Sequence, residues 1–391
     1  MKGFKFAGIH AKIRNKEKKD LGLIYCDKPA VASALFTKNK IVAAPVILGK
    51  EKIKTGLCQA VLVNSGNANC CTGEKGIKDC EFCSKFMADL LDIDESLVLC
   101  ASTGVIGAYL PLEKIKQSMP KLISQLGDDC LHLEQFAQSI LTTDTKTKIV
   151  QKNDKINGNE FSIMGIAKGS GMIHPDMATM LVFICTDIDI KANDLKQCLQ
   201  ISCEKSFNRI SIDGDTSTND MVLALASAKS KAKTSDDNTK QIFQNVLDNI
   251  CFELSKMIVK DGEGVNKLVR ILIKGARTSE DALNAARTIA LSNLVKTAIH
   301  GEDPNWGRII AAAGRSKAYL LPEKISLFFD DTPLVLKGEW LGFDAEKKAA
   351  QIMRKDEMKI TLNFDVGDKT DFYLFCDFSE EYVKINADYR T

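Results

Sequence analysis

Strand-like and helix-like apolar patterns alternate along the whole chain, and this mixture constrains the fold more than any other feature of the sequence. Buried strands are predicted at residues 59–64, 96–101, 161–167, 180–185, 265–273 and 358–364. Helical spacing of apolar residues predicts helices at residues 78–91, 194–207, 220–229, 239–259 and 279–299. No internal repeat or Pro/Gly/Ser-rich linker interrupts the pattern. We therefore expect an α/β or α+β protein in which helices pack on sheets in a layered sandwich.

The length and composition exclude several classes of protein. A chain of 391 residues, 45% hydrophobic and 27% charged, is ordinary for a globular enzyme of two or three folding units. Its 53 basic and 51 acidic side chains lack the basic excess of a nucleic-acid-binding protein. The apolar runs are too short to span a bilayer, and the N-terminus lacks the apolar core of a signal peptide. We expect a cytoplasmic protein with no nucleic-acid or membrane partner.

The cysteine content also favours a cytoplasmic protein. There are 13 cysteines, an odd number in a chain without an export signal, which predicts reduced thiols rather than a disulfide framework. Cys80 and Cys83 form a CxxC, but zinc would require a second such pair or closely spaced histidines, and the chain has only 4 histidines. We expect no metal site, and we expect Cys80 and Cys83 to share one face of a helix near residues 76–92.

Polar, glycine-containing loops are predicted at the ends of the buried strands. They lie at residues 64–69 (NSGNAN), 102–104 (STG), 168–172 (KGSGM), 213–220 (DGDTSTND) and 261–264 (DGEG). Such loops present backbone N–H groups and small side chains to ligands, although each alone is also typical of an ordinary turn. P-loop spacing and the ligand positions of an EF-hand are absent. We expect residues 213–220 to form a turn that caps a helix beginning at Asp220.

Thr179 has the position of an N-terminal nucleophile. It follows the small residue Ala178 and immediately precedes an apolar, strand-like run. In such enzymes the hydroxyl attacks the preceding carbonyl, an ester forms by N→O acyl shift, and water cleaves the chain. The freed α-amine, with a pKa of about 7.7–8.0, can then act as base for its own hydroxyl. On spacing alone, an ordinary threonine at the start of a strand is the more frequent explanation.

Ordered motifs over essentially the whole chain resemble the ornithine acetyltransferases, the glutamate N-acetyltransferases of arginine biosynthesis. The motifs are residues 3–4 (GF), 18–21 (KKDL), 43–45 (AAP), 64–69 (NSGNAN), 102–104 (STG), 142–144 (TTD), 168–172 (KGSGM), 177–181 (MATML), 211–220 (SIDGDTSTND), 262–264 (GEG), 301–308 (GEDPNWGR) and 386–391 (NADYRT). A dozen motifs in family order are far more specific than any one loop, so they favour the nucleophile over the ordinary threonine.

The resemblance implies a precursor that cleaves itself between Ala178 and Thr179. The products would be an α chain, residues 1–178, and a β chain, residues 179–391, intertwined and paired as an α2β2 heterotetramer. Thr179 would accept acetyl from N2-acetyl-L-ornithine and pass it to L-glutamate by a ping-pong route. Thr103 and Gly104 would form the oxyanion hole. The family's substrate-contacting positions fall on Thr142, Lys168, Thr179, Glu263, Asn386 and Thr391.

Three questions stay open at this point. A self-processing amidase or aminopeptidase would use the same nucleophile but let water take the acyl group. The sequence does not decide whether acetyl-coenzyme A is also a donor, and no other cofactor is expected. His174 lies five residues before Thr179; we expect it to support the loop or the processing rather than catalysis, because the freed amine already supplies a base.

Overall fold

The computed structural model describes residues 1–14, 17–174 and 180–388, which form two compact units. The first unit contains Met1–Asn208 and Asp215–Ile258. The second contains Arg209–Gly214 and the described residues from Val259 onward. The expected boundary between an α and a β chain, after residue 178, therefore falls inside the first unit and does not coincide with the division into compact units.

Strands and helices alternate as the sequence predicts. In the described residues the strands are β1 Phe4–Ile9, β2 Leu21–Phe36, β3 Leu57–Asn67, β4 Val98–Val105, β5 Lys148–Ile156, β6 Asn159–Lys168, β7 Leu181–Thr186, β8 Ile210–Ser211, β9 Met221–Ala226, β10 Leu268–Ala276, β11 Ser326–Phe329, β12 Thr332–Leu336, β13 Glu339–Trp340, β14 Glu357–Asn363 and β15 Lys369–Cys376. The helices are α1 Ala44–Lys52, α2 Gly73–Leu91, α3 Leu112–Ser124, α4 Cys130–Ser139, α5 Ala192–Lys205, α6 Asp237–Lys260, α7 Ser279–Ala290, α8 Asn293–His300, α9 Trp306–Gly314, α10 Phe343–Met353 and α11 Glu380–Ala387. None of these helices combines the length and the apolar character required to cross a membrane.

The first unit is built on a mixed sheet in the order β4-β3-β2-β9-β7-β6-β5, with β1 paired to β2. Successive residues of a strand face opposite sides of a sheet, so each strand serves two cores. In β3, Leu62 packs in a cluster with Met87 of α2 and Met119 of α3. Its neighbour Val63 packs in the other cluster, which contains Phe136. The sheet is therefore covered by helices on both faces.

The second unit has its own mixed sheet, in the order β13-β12-β11-β14-β10-β15-β8. Apolar side chains of β10, β11, β14 and β15 join residues from α7, α8, α9 and α10 in one core. Helix α7 contributes alanines to this core, such as Ala285 and Ala286, which allow the helix to lie close to β10 and β15. The predicted class, a layered α/β fold with helices on sheets, is thus confirmed.

The prediction of a helix at residues 220–229 is wrong, because Met221–Ala226 forms the central strand β9. All six residues of β9 are buried, since the strand pairs with β2 on one side and β7 on the other. A strand buried on both faces shows no polar alternation, and periodicity cannot distinguish it from a buried helix. Residues 213–220 consequently lead into a strand and do not cap a helix.

A smaller correction concerns residues 279–299, predicted as one helix. The segment forms α7 and α8, separated at Ser292, whose side chain accepts a hydrogen bond from Val295 N and caps α8. Capping hydroxyls of this kind start a new helix where apolar spacing alone would continue the old one.

Candidate active site

The polar ends of β3 and β4 lie side by side in the first unit. The strands pair in parallel, with Asn64 opposite Ser102 and Gly66 opposite Gly104. Gly104 has φ +131°, and a Cβ added there would lie 2.3 Å from the carbonyl carbon of Gly66. Only glycine fits this close backbone approach. Residues predicted as loops are therefore the last residues of paired strands, which hold them in a fixed register.

Thr103 occupies the same strand end and is almost fully enclosed. Its Oγ1 lies 3.5 Å from the Nζ of Lys168, which donates a weak hydrogen bond to it. Lys168 is the last residue of β6 and is equally buried. A hydroxyl that accepts a hydrogen bond keeps its own proton for donation. The Thr103 hydroxyl can therefore act as a polarised donor beside a buried cation.

Asp144 provides the anion for this part of the site. Its Oδ1 lies 2.8 Å from Lys148 Nζ, and its Oδ2 lies 3.8 Å from Lys168 Nζ. The backbone N–H groups of Thr142 and Gly169 also donate to the carboxylate, at 3.0 and 2.6 Å. Burial raises the pKa of Asp144, but the two ammonium groups and the hydrogen bonds outweigh it and hold that pKa well below its ordinary value. Thr142, Lys168 and Thr103 are thus joined through one buried ionic cluster.

Asp220 is a second enclosed carboxyl, at the start of β9. Its Oδ1 accepts the backbone N–H of Met180 at 3.0 Å. Burial raises the pKa of Asp220 well above its ordinary value, and the Met180 N–H, the Lys168 ammonium and the hydroxyls of Ser217 and Thr37 lower it by less. This carboxyl therefore favours the protonated form more than an exposed aspartate does.

Asn219 connects the segment before Asp220 to the strand ends. Its Nδ2 donates to the carbonyl oxygens of Ala68 and Ser102, at 2.6 and 2.8 Å. The amide oxygen of Asn219 accepts from the Thr218 hydroxyl at 2.6 Å. An amide side chain saturated in this way has a structural function: it fixes the neighbouring Asp220 relative to β4 and Thr103.

Glu263 and Asn386 meet in the second unit. Asn386 lies on α11, and its Nδ2 donates to Glu263 Oε2 at 2.8 Å. Gly264 has φ +68°, and a Cβ there would lie 2.5 Å from Tyr382 N, so glycine allows this loop to lie against α11. The residues 261–264 follow helix α6 and not a strand, contrary to the sequence prediction.

The structure thus brings together Thr103, Gly104, Thr142 and Lys168 within the first unit, and Glu263 with Asn386 within the second. Ala178, Thr179 and Thr391 lie outside the described residues. Sequence reasoning assigned no role to three charged residues that the structure shows beside the predicted ones: Asp144, Lys148 and Asp220. Asp144 stands in the conspicuous TTD motif, but only the fold brings two lysines to it. The buried Asp220 was hidden by the wrong helix prediction.

The cysteine pair is placed as predicted on helix α2, where Cys80 and Cys83 are both buried on the same face. Contact with Cys100, together with burial, raises the pKa of the Cys80 thiol, and burial raises that of Cys83. All 13 cysteines are free thiols. In the part of the chain that the structure describes, no group of three His, Cys, Asp or Glu side chains could hold a metal ion.

Comparisons with known proteins relate this chain to one family. The ArgJ family model matches residues 5–391. The arginine biosynthesis bifunctional protein ArgJ of Syntrophotalea carbinolica is 45% identical over 391 residues, covering 100% of this chain and 99% of that protein. The crystal structure of the bifunctional protein argJ from Bacillus halodurans is 41% identical, with a TM-score of 0.43, and covers 44% of this chain and 90% of that chain. The ornithine acetyltransferase of Mycobacterium tuberculosis, crystallised with ornithine, is 29% identical, with a TM-score of 0.40, and covers 44% of this chain and 92% of that chain. The full-length family match and the identity to the Syntrophotalea protein confirm the resemblance seen in the ordered motifs: the chain belongs to the ArgJ family.

Proposed function

We propose that this chain is a self-cleaving glutamate N-acetyltransferase of arginine biosynthesis that transfers acetyl from N2-acetyl-L-ornithine to L-glutamate. Its membership of a family whose relatives are named arginine biosynthesis proteins supports this activity. The observation that carries the proposal is the contact of Lys168 Nζ with Thr103 Oγ1 at 3.5 Å, since both residues fall on family site positions far apart in the sequence.

The proposed reaction has two acyl transfers with one nucleophile. The Thr179 hydroxyl attacks the acetyl carbonyl, the ornithine amine leaves with a proton, and an acetyl ester remains on Thr179. The glutamate amine then attacks the ester and regenerates the hydroxyl. Thr103 and Gly104 stabilise the negative oxygen of each tetrahedral intermediate. One such donor typically lowers the barrier by about 3–4 kcal/mol.

Substrate recognition follows from the charges at the family positions. Lys168 offers a buried cation for the α-carboxylate that both amino acids carry. Thr142 is linked to Lys168 through Asp144, whose Oδ2 accepts the Thr142 N–H and lies 3.8 Å from Lys168 Nζ. In the second unit, Glu263 offers a carboxylate for a substrate amino group, and Asn386 orients that carboxylate through its hydrogen bond. Thr391 completes the proposed set. The family motifs assign both charged residues to amino-acid substrates, which favours an amino-acid acceptor over water.

The proposed cleavage would leave two chains that stay joined. Strand β6 precedes the Ala178–Thr179 bond in the sequence, and its residues 163–168 pair with the whole of β7, which follows that bond. An α chain of residues 1–178 and a β chain of residues 179–391 would therefore share one sheet. We propose that two such pairs form the α2β2 heterotetramer implied by the family, in the cytoplasm, where free thiols like those of this chain persist.

We also propose that acetyl-coenzyme A can load the same threonine. The support is the word "bifunctional" in the names of the relatives, which indicates a second activity in those proteins. Both donors would give the same acetyl-enzyme, so the second activity needs no further nucleophile. Incubation of the enzyme with acetyl-coenzyme A and glutamate, without acetylornithine, tests this donor through the release of free coenzyme A and the formation of acetylglutamate.

Replacement of the nucleophile tests the main proposal. We expect the wild-type protein to appear as two chains and to convert acetylornithine and glutamate into ornithine and acetylglutamate. Thr179→Ala should leave one full-length chain and no measurable transfer, because neither the ester nor the free amine can form. Intact-mass analysis and an assay for acetylglutamate measure both effects.

Thr55→Ala provides the matched control, since it removes an exposed threonine hydroxyl in the same unit. It should cleave and transfer like the wild type. Two fragments from Thr179→Ala would contradict self-cleavage at this residue. Release of acetate from acetylornithine at the same rate with and without glutamate would identify an amidase instead.

A further inference from the structure

Two adjacent cysteines lie in the loop that follows strand β3. The Sγ atoms of Cys70 and Cys71 are 3.8 Å apart, so the two thiols are in contact. Successive side chains of an extended strand point to opposite sides, which would keep such thiols apart. The backbone of Cys71 instead has φ +57°, in the left-handed region that residues with a Cβ rarely adopt. The loop therefore presents a vicinal dithiol, the thiol pair of Cys70 and Cys71.

The two thiols differ in their access to solvent. Cys71 is exposed, whereas Cys70 is almost fully buried in a small cluster with Ala43 and Ala68. Burial raises the pKa of the Cys70 thiol, and a hydrogen bond with Thr218 lowers it by less. Because a thiol reacts with oxidants as its thiolate, Cys70 is a poor first target. An oxidant should therefore attack Cys71, with Cys70 in position to react next.

The CxxC pair on α2 lacks this arrangement. Redox-sensitive cysteines are solvent-accessible and often lie next to a second, resolving cysteine. Cys71 and Cys70 meet both of these conditions. Cys80 and Cys83 fail the first, because both thiols are buried. The reactive pair of the first unit is thus the adjacent one and not the CxxC.

Hydrogen bonds connect the vicinal dithiol to the end of strand β4, where the proposed oxyanion hole lies. Gly107 N donates to Cys70 O at 3.0 Å, and Ala68 N donates to the O of Val105, the last residue of β4, at 3.0 Å. Asn219 donates to one carbonyl oxygen in each segment, at 2.6 and 2.8 Å. A change in the loop is therefore transmitted to β4. A displacement of about 1 Å in catalytic groups can lower a rate about 100-fold.

We propose that Cys70 and Cys71 form a modification site at which a peroxide closes the two thiols into a disulfide and slows acetyl transfer. The Cys71 thiolate attacks one oxygen of hydrogen peroxide, the O–O bond breaks, and a sulfenic acid and water form. The Cys70 sulfur then attacks the Cys71 sulfur, the S–O bond breaks, and the second oxygen leaves as water. The thiols lose two electrons and two protons in total. The effect on transfer rests on the proposed function, whereas formation of the disulfide does not.

This disulfide should be reversible. Adjacent Cα atoms are about 3.8 Å apart, whereas those of disulfide-linked cysteines are usually about 4.4–6.8 Å apart, so the closed ring is strained. Strained and exposed disulfides are the labile ones, which thiol reductants open. Closure also brings the Sγ atoms from 3.8 Å to about 2.0 Å, which changes the conformation of the loop. We therefore expect a loss of activity that a reductant reverses.

Treatment of the purified wild-type protein with hydrogen peroxide tests the proposal. The peptide that contains both cysteines should lose the mass of two hydrogen atoms, and the formation of acetylglutamate should slow at least about tenfold. Dithiothreitol should restore both. Cys71→Ser should keep the wild-type rate before and after peroxide, because the exposed thiol of the pair is gone. Cys130→Ser is the matched control, since it removes another exposed thiol of the same unit and should respond like the wild type.

Cys70→Ala tests the resolving thiol separately. Without it, peroxide should carry Cys71 on to a sulfinic acid, which dithiothreitol does not reduce. Three results would overturn the proposal: a wild-type Cys71 that is oxidised without a disulfide to Cys70, a disulfide that leaves transfer unchanged, or equal inactivation of the wild type and Cys71→Ser. An untreated wild-type protein that makes no acetylglutamate would instead overturn the proposed function, and the peptide mass would still decide whether the disulfide forms.

Discussion

Asp144 and Asp220 are two enclosed carboxyls of the same unit, and their pKa values shift in opposite directions. Asp144 lies between two lysine ammonium groups and accepts two backbone N–H groups, so its charged form is favoured. Asp220 accepts one backbone N–H, and the Lys168 ammonium and the hydroxyls of Ser217 and Thr37 favour its charged form only weakly, so burial dominates. Two buried carboxyls can therefore differ in pKa, because the charged and hydrogen-bonding groups around them differ.

The difference separates a carboxylate whose charge is compensated by its partners from one whose charge is compensated poorly. A fully paired carboxylate stabilises the fold and resists protonation. A poorly paired carboxylate costs stability when it is charged. Three substitutions test this contrast, and each is best made in the Thr179→Ala background, where we expect the chain to remain in one piece during unfolding measurements.

The largest effect is expected from Asp144→Asn. The substitution removes the anion between Lys148 and Lys168, and loss of one partner of a buried ion pair typically costs about 3–5 kcal/mol. Urea unfolding should show this loss in the free energy of unfolding. Glu51→Gln is the control, because Glu51 pairs with Lys54 at the surface and should cost less than about 1 kcal/mol. Equal losses in the free energy of unfolding for Asp144→Asn and Glu51→Gln would show that Asp144 is no better paired than a surface carboxylate.

Lys148→Met should have an intermediate effect. It removes one of the two cations but leaves Lys168 near the carboxylate, so we expect a loss of about 2 kcal/mol at pH 7. The pKa of Asp144 is held low in the wild type, so its contribution to stability is present above about pH 4 and is lost as the pH falls further. Lys148→Met should reduce that acid-dependent loss, as measured by unfolding at a series of pH values. An unchanged profile would mean that Lys168 alone holds the pKa down.

The smallest effect, and of opposite sign, is expected from Asp220→Asn. Because the pKa of Asp220 is raised, the folded chain binds more protons than the unfolded chain above about pH 4, and stability falls as the pH rises towards the raised pKa. Asparagine has no proton to lose, so the variant should be more stable than its parent at pH 7, by less than the change in either of the other two variants. Thermal unfolding across this pH range measures the gain. A less stable variant would show that the Asp220 carboxylate is well paired after all.

Much of this architecture was accessible from the sequence, and the reasons differ by region. The strands that end at Asn67 and Val105 contain apolar runs followed by small polar residues near their ends, so both the strands and the importance of their ends could be predicted. The family motifs named Thr103 and Lys168 without showing that they touch. Their contact depends on how β4 and β6 are brought together, which no local pattern encodes.

The charged partners could not be predicted, for two physical reasons. The Asp144 cluster combines Lys148, nearby in the chain, with Lys168 at the end of another strand, and the pairing exists only after β5 and β6 have formed their ladder. Asp220 precedes a strand buried on both faces, which carries the same apolar signal as a helix. The sequence therefore predicted the residues of family motifs more successfully than the charges that surround them.

The antiparallel pairing of β6 with β7 has a consequence for refolding of the protein after the proposed cleavage. Before a break at residue 178, the two strands belong to one polypeptide and can find each other again after unfolding at a rate independent of concentration. After it, they belong to separate molecules, and recovery becomes a bimolecular encounter. After cleavage the protein could no longer refold as a single polypeptide. An active molecule whose two chains had dissociated would regain its fold only by meeting the complementary chain again.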